Sequence, residues 1–304
     1  MINNFDELLD HASTVRGKNV VVIAPANAET FEAIREAQER LGVGFFLVGN
    51  QDTIARGMAG APRVEVIHQP DLRQALETAV ELVHKGEADI LMKGGIDTAT
   101  MMKAVLHPEK GLRTGRLLSD IFLFEHSARQ GNKFVMITDG GLTLAPDLND
   151  KVELIANAVA VAHALGNPLP KVAVLSATEF VLSNLPSTLD AAALSKMNDR
   201  GQIAGCVVDG PLALDNALFA EAAQEKKITS RVAGQAEILV AAGIEAANSL
   251  AKGITYFGDV RLAHVIVGAQ VPVLIPSRAD KSDAKLLSVA LGMIMSGQKR
   301  NAAA

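Results

Sequence analysis

Residues 19–50, NVVVIAPANAETFEAIREAQERLGVGFFLVGN, decide the fold class. Two short apolar runs, NVVVIAP and GFFLVGN, flank a segment from about Glu29 to Leu41 that is expected to form a helix. A strand, a helix and a second strand in this order are typical of a mostly parallel sheet covered by helices on both faces. The stretch therefore predicts an α/β protein.

The same alternation continues to the end of the chain. Further strands are predicted at VEVIHQ, ADILMKG, DIFLFEH, KFVMITDGG, KVAVLSA, AGCVVDG, AEILVAA, HVIVGA and PVLIPS. Further helices are predicted near 72–85, 98–106, 150–165, 188–199, 214–225, 245–257 and 282–296. About ten strands are many for one sheet, so two α/β domains are the better interpretation.

The expected crossover between the domains is TDGGLTLAPDLND (138–150), which is rich in Gly, Pro and Asp. The last helix is expected to return to the first domain. The predicted domains are residues 1–137 together with 277–304, and residues 138–276.

Composition narrows the function classes. The formal charge of −5 argues against a nucleic-acid binder. The single cysteine, Cys206, excludes an internal disulfide and is expected to be a buried apolar residue. The seven histidines lack zinc-site spacing, so no metal site is predicted. Without a signal-like N-terminus or an apolar run of membrane-spanning length, the chain is expected to be soluble and cytoplasmic.

In parallel α/β sheets, ligands bind where strand carboxyl ends face helix N-termini. In ADILMKGGIDTATMM (88–102), Lys93 ends a strand, Gly94 and Gly95 follow, and Asp97 is a candidate helix cap. A phosphate cradle and an ordinary Gly-rich turn with a solvated lysine explain this pattern equally well. The spacing is not that of a P-loop.

A second candidate anion loop is EKGLRTGRLLSD (109–120). Arg113 and Thr114 lie between Gly111 and Gly115, and Ser119 follows. A guanidinium on such a loop can donate two hydrogen bonds to a phosphate. A surface loop with ordinary arginines is the simpler interpretation of these residues alone.

The turn PSRADKSDAKLL (276–287) connects an apolar strand to the last helix. With Asp280 as the N-cap, Asp283 falls at the third helical position, where an acid favours the helix start. Capping explains both acids but neither Ser277 nor Arg278. A hydroxyl and an arginine at a strand exit, with a carboxylate one helical turn away, can bind phosphate and move a proton.

Four long blocks resemble the phosphate acyltransferases, and among them the phosphate butyryltransferase branch: ADILMKGGIDTATMMKAVLHPEKGLRTGRLLS, PSTLDAAALSKMNDRGQIAGCVVDGPLALDNAL, VAGQAEIL and SRADKSDAKLLSVAL. The resemblance implies two αβα domains with an interdomain cleft, similar to the isocitrate and isopropylmalate dehydrogenases, and a homodimer or larger homo-oligomer. It also implies the reaction acyl-CoA + phosphate ⇌ acyl phosphate + CoA in a ternary complex. Coenzyme A is then a substrate, and neither a metal nor a tightly bound cofactor is needed.

The resemblance also implies roles for individual residues. Arg278 holds the phosphate, Ser277 supports the tetrahedral transition state or the departing sulfur, and Asp283 takes the proton of the CoA thiol. The match of Asp283 to the acid of the acetyltransferases requires a gap of one residue. Phosphate or substrate contacts are further implied for Lys93, Gly94, Arg113, Thr114 and Ser119.

Three alternatives remain open from the sequence. The acyl group is acetyl in place of butyryl; the chain is a nucleotide-dependent dehydrogenase on the same fold; or it binds CoA or acyl phosphate without catalysis. The non-catalytic alternative stays open because the chain has AAGIEAANSL (241–250) where butyryltransferases tend to carry a segment like PNIETGN. Asp120 likewise stands where a histidine is common in relatives.

Overall fold

The structure is a computed structural model that describes residues 1–59, 64–126, 133–258, 260–277 and 279–297. Its strands are β1 (Asn19–Ile23), β2 (Gly44–Gly49), β3 (Val64–His68), β4 (Ile90–Lys93), β5 (Ser119–Glu125), β6 (Phe134–Thr138), β7 (Lys171–Leu175), β8 (Val207–Leu212), β9 (Ile238–Val240), β10 (Leu262–Val267) and β11 (Val273–Leu274). Its helices are α1 (Phe5–Thr14), α2 (Ala28–Leu41), α3 (Gln51–Gly57), α4 (Leu72–His84), α5 (Thr98–Val105), α6 (Leu148–Ala164), α7 (Pro186–Asp199), α8 (Leu214–Leu218), α9 (Ala220–Glu225), α10 (Ile244–Gly258) and α11 (Ser282–Ser296).

The predicted α/β class is confirmed, and every predicted strand and helix has a counterpart. The helix predicted over 214–225 is two helices, α8 and α9, which meet at Phe219. Helices α1 and α3 are additional to the predicted set.

The chain divides into two compact units. The first consists of Phe5–Arg116 with Arg261–Ala304, and we call it the outer unit because its two segments lie on either side of most of the other unit in the sequence. Its strands lie in the order β3-β2-β1-β4-β11-β10, and all neighbours are parallel except β10, which is antiparallel to β11. Helix α11 packs against α1, α2 and β10, and all its residues from Lys285 to Ser296 are buried. This apolar helix is the centre of the unit's core.

The second, here called the inner unit, consists of Met1–Asn4 with Leu117–Val260. Its strands lie in the order β5-β6-β9-β7-β8, with β5 antiparallel to β6 and the remaining neighbours parallel. The first residues of the chain join this unit because the Ile2 N–H donates to the Leu165 carbonyl over 2.8 Å.

The domain boundaries predicted at 137/138 and 276/277 differ from the observed divisions at 116/117 and 260/261. Strand pairing is the physical reason. β6 pairs with β9 of the inner unit, and β11 pairs with β4 of the outer unit. The predicted crossover at 138–150 is instead an internal loop, in which the Asp139 carboxylate accepts the N–H groups of Gly141, Leu142 and Thr143.

Two further expectations concern single features. Cys206 is buried, as predicted, and this burial raises the pKa of its thiol to about 11. Among the helices of the described residues, none is long and apolar enough to cross a membrane.

Candidate functional site

Three parallel strands of the outer unit end side by side. β1, β4 and β11 are adjacent and parallel, so their carboxyl ends lie at one edge of the sheet. Each strand is followed directly by a helix, and α2, α5 and α11 therefore begin at this edge. Such an edge, with several helix N-termini facing it, is where α/β proteins bind anionic ligands. We call it the carboxyl edge.

Lys93 is the last residue of β4 and lies at the carboxyl edge. It is only 5% exposed, so the solvated lysine of the simple turn interpretation is wrong. Its ammonium donates to the Ile96 carbonyl over 3.4 Å. Because Lys93 ends a strand at an edge of the kind where α/β proteins bind anionic ligands, it is a candidate anion contact.

Gly94 and Gly95 follow Lys93 and pack directly against the end of β1. Their N–H groups donate to the carbonyls of Ile23 (2.9 Å) and Ala24 (2.7 Å). These two N–H groups are therefore occupied, which corrects the view of this turn as a backbone cradle for phosphate. An ideal Cβ on Gly94 would lie 2.4 Å from the Ile23 oxygen, so the glycine is required by close packing.

Gly94→Ala is expected to lower the free energy of unfolding by about 2 kcal/mol, because the added methyl group forces β1 and β4 apart. Urea-induced unfolding measures this change. The matched control is Gly253→Ala, inside α10, where an added Cβ meets only Phe257 at 4.0 Å. The control is expected to be neutral or stabilising. Equal unfolding midpoints for Gly94→Ala and the wild type would contradict the packing requirement.

The helix after Lys93 begins as predicted. The Asp97 carboxylate accepts the Thr100 N–H over 2.8 Å, which makes Asp97 the N-cap of α5. Hydrogen bonds from the hydroxyl and the N–H of Thr100 hold the pKa of Asp97 below its usual value. The cap orders the first turn of α5 at the carboxyl edge.

Ser277 lies in the turn after β11 and is half-buried. Its N–H donates to Asp280 Oδ2 over 2.7 Å, and its carbonyl accepts the Asp280 N–H over 3.2 Å. Its hydroxyl oxygen accepts the Ala279 N–H over 3.4 Å. We call residues 277–280 the serine turn. Arg278 lies outside the described residues, so its role stays a prediction from the sequence.

The helix cap predicted after this turn is wrong. α11 begins at Ser282 with Lys281 as its N-cap, and Asp283 is its second residue. The reason is that the Asp280 carboxylate turns back to Ser277. The Asp283 carboxylate lies 3.4 Å from Arg261 Nε, with 46% of its side chain exposed. Asp283 is thus in reach of solvent but engaged in an ion pair, and its role as a base stays a prediction.

The sequence patterns did not point to two basic residues that contact the serine turn. Lys285, 1% exposed, donates from its ammonium to the Asp280 carbonyl. His264 of β10, 6% exposed, has its Nε2 4.0 Å from Asp280 Oδ2. The available signal is a polar residue inside an apolar run, since LAHVIVG and AKLLSVAL each contain one basic residue among small or apolar neighbours.

Arg113 and Thr114 do not join Lys93 and Ser277. The backbone of Arg113 forms an isolated antiparallel β-bridge with Ala269, and the Thr114 hydroxyl donates to the Gly268 carbonyl. Because β10 is antiparallel to β11, its carboxyl end points away from the carboxyl edge. Gly268 lies four residues beyond His264 along the chain, which is roughly 13 Å in a strand. The prediction that this loop shares a phosphate site with Lys93 and Ser277 is therefore not supported.

Ser119, a predicted substrate contact, lies in the inner unit. Its side chain is fully buried, and its hydroxyl accepts a hydrogen bond from Asn157 Nδ2 over 2.7 Å. The same amide group donates to the Leu117 carbonyl over 2.8 Å. Because the hydroxyl has no route to solvent, the site prediction for Ser119 is corrected to a packing role.

In the described part of the chain, no group of three or more His, Cys, Asp or Glu side chains is arranged to hold a metal ion. The candidate site consequently comprises Lys93 and the serine turn, with Asp283, Lys285 and His264 around it.

Comparison with known proteins identifies the class to which this chain belongs. The phosphate acetyl/butaryl transferase family profile matches residues 55–293, so the chain is a member of that family. It is 41% identical to the phosphate butyryltransferase of Clostridium acetobutylicum, over 98% of this chain and 100% of that protein. It is 40% identical to the phosphate acetyltransferase of Thermotoga maritima, over 95% of this chain and 99% of that protein.

Among solved structures, the chain is similar to a branched-chain phosphotransacylase from Enterococcus faecalis V583. The TM-score is 0.83 with 30% identity, and the match covers 92% of this chain and 99% of that one. The resemblance seen in the sequence blocks is thereby confirmed.

Proposed function

We propose that this protein transfers a short-chain acyl group, butyryl or a similar chain, between coenzyme A and inorganic phosphate in a ternary complex. The observation that carries the proposal is the serine turn at the carboxyl edge. Ser277, the serine of the family's Ser-Arg pair, lies just beyond β11, at the edge where the neighbouring strand β4 ends at Lys93 and α11 begins. The 41% identity to a phosphate butyryltransferase, which extends over 98% of this chain, supports the same assignment.

In the proposed reaction, a phosphate oxygen attacks the carbonyl carbon of the thioester. The C–O bond forms, the C–S bond breaks, and the sulfur leaves with its electron pair. Phosphate is a weak nucleophile, so the catalytic requirement is its orientation against the thioester, a task for Arg278 and Lys93. Ser277 supports the negative charge that develops on the carbonyl oxygen or on the sulfur.

In the reverse direction, the attacking group is the CoA sulfur. A free thiol is mostly protonated at neutral pH, so a base that removes its proton increases the concentration of thiolate. Asp283 is the proposed base: it is the exposed acid nearest along the chain to Ser277, at the start of α11. Its carboxylate lies 3.4 Å from Arg261 Nε, and this ion pair holds it at the start of α11.

The test is phosphate-dependent release of CoA from acetyl-, propionyl-, butyryl- and isobutyryl-CoA, with sulfate replacing phosphate as the control. The expected result is release that requires phosphate and is fastest with the four-carbon substrates. A fastest reaction with acetyl-CoA would reassign the protein to the acetyltransferase branch. The same release with sulfate would contradict acyl transfer to phosphate.

A nucleotide-dependent dehydrogenase on the same fold is the alternative that the sequence left open. The proposal differs from it in requiring neither NAD nor a divalent metal, and titration of the protein with both ligands separates the two. The relation to the isocitrate and isopropylmalate dehydrogenases, the homodimer and the cytoplasmic location stay predictions from the sequence.

A further inference from the structure

We infer that Asp280 is a positioning residue that keeps Ser277 in place for catalysis. Lys285 donates a hydrogen bond to Asp280, and His264 lies close to its carboxylate. The inference rests on the proposed function, because it assigns Asp280 and Lys285 a role in the same site. Neither residue would touch the substrate in this role.

The first step is the hydrogen bonding of the serine turn. Asp280 bonds to Ser277 twice, through its carboxylate to the N–H and through its own N–H to the carbonyl. A reciprocal pair of this kind fixes the backbone on both sides of one residue, so the direction of the Ser277 side chain depends on where Asp280 lies. The Asp280 side chain is only 15% exposed, which protects these bonds from competing water.

The second step is the burial of Lys285. The residue is 1% exposed, and burial lowers the pKa of its ammonium while the charges of Asp280 and Glu29 oppose that change. Lys285 is the fourth residue of α11, and a cation near a helix N-terminus is disfavoured by the helix dipole. Burial and dipole both work against a lysine here, so helix stability does not explain its presence. Its bond to the Asp280 carbonyl does.

The third step is His264, which approaches the same acid from another element. Its Nε2 lies 4.0 Å from Asp280 Oδ2, which is too long for a hydrogen bond. Its backbone N–H donates to the Ser288 hydroxyl oxygen over 3.0 Å, which ties β10 to α11 at this residue. Asp280 is therefore bonded to α11 through Lys285 and lies close to β10 at His264, and its two bonds to Ser277 connect that serine to this arrangement.

The outer unit contains a matched control for this arrangement. Asp89 Oδ2 accepts the Asn19 N–H over 3.0 Å, and Asp89 Oδ1 pairs with the Lys18 ammonium at 2.7 Å. This acid also joins a backbone N–H to a poorly exposed lysine, but it precedes β4 and so lies at the opposite end of that strand from Lys93. Removing it tests general destabilisation without touching the serine turn.

The experiment compares Asp280→Ala and Lys285→Met with Asp89→Ala and Lys18→Met in the phosphate-dependent release of CoA from butyryl-CoA. Misplacing a reacting group by an ångström costs up to about 100-fold in rate, and a partial displacement is expected here. We expect kcat to fall about tenfold for the first pair, with KM for both substrates within about twofold, and no change for the second pair. If Asp280→Ala does not purify folded, Asp280→Asn replaces it, and the Lys285→Met result stands on its own.

The double variant Ser277→Ala/Asp280→Ala gives the readout that a merely structural role would not move. If Asp280 acts through the Ser277 hydroxyl, the double variant is as slow as Ser277→Ala alone. The inference would be overturned if the loss of kcat in the double variant equalled the product of the two single losses. It would also be overturned if Asp280→Ala were as active as Asp89→Ala while Ser277→Ala is slow. If Ser277→Ala itself retains full activity, Ser277 has no part in catalysis and the positioning role of Asp280 fails, whereas CoA release from the wild type that does not need phosphate would contradict the proposed function.

Discussion

Ser277→Ala is expected to lower kcat for phosphate-dependent CoA release by about 100-fold, the usual cost of losing one donor to a developing negative charge. KM is expected to change little, because the hydroxyl acts in the transition state and contributes little to substrate binding. The measurement is steady-state kinetics with butyryl-CoA and phosphate, each varied at a saturating concentration of the other.

The control for this variant is Ser13→Ala, which removes a serine hydroxyl from α1 of the same unit, where it donates to the Asp10 carbonyl. Its kcat is expected to equal that of the wild type. A Ser277→Ala enzyme as fast as the Ser13→Ala enzyme would remove the serine from the reacting centre.

Arg278→Ala is expected to lower kcat/KM for phosphate by about 1000-fold, because two charge-assisted hydrogen bonds to the anion are lost together. KM for acyl-CoA is expected to change far less. Arg278→Lys is expected to recover about tenfold of the loss, since an ammonium restores the charge but not the paired donors.

Arg56→Ala in α3 is the matched control, since its guanidinium donates to the Asp52 carbonyl in the same helix. The informative comparison is between substrates. If Arg278→Ala lowered kcat/KM equally for phosphate and for acyl-CoA, the arginine would serve to maintain the structure of the turn. That result would contradict a role in binding phosphate.

The strands and helices could be predicted because their signals are local. Apolar runs such as NVVVIAP and the Asp97 cap of α5 depend on neighbouring residues alone. The domain boundaries could not be predicted in this way, because they depend on which strands pair. β6 pairs with β9, about 100 residues further on, and no local feature of either strand shows this.

The candidate site shows the same division. Strand ends at Lys93 and Ser277 were accessible from the sequence, and the parallel neighbours β4 and β11 bring them to one edge. The position of Arg113 beside Ala269 could not be predicted, because it depends on the antiparallel direction of β10. Asp280 illustrates a competition between two local motifs: a carboxylate near a helix start predicts a cap, and here it bonds backwards to Ser277 instead.

Lys285 illustrates a third limit. A lysine in the first turns of a helix is ordinarily solvent-exposed, but Lys285 is 1% exposed in a helix that packs against α1, α2 and β10. Its connection to the serine turn is a property of the assembled core and not of the sequence pattern.

The most direct test of the central claim is the product balance of the wild-type enzyme with butyryl-CoA and phosphate, measuring free thiol and acyl phosphate in the same reaction. Acyl transfer at the serine turn predicts equal amounts of CoA and butyryl phosphate, formed only when phosphate is present and both reduced to the same extent in Ser277→Ala. Release of CoA without butyryl phosphate, or at the same rate in Ser277→Ala, would contradict it.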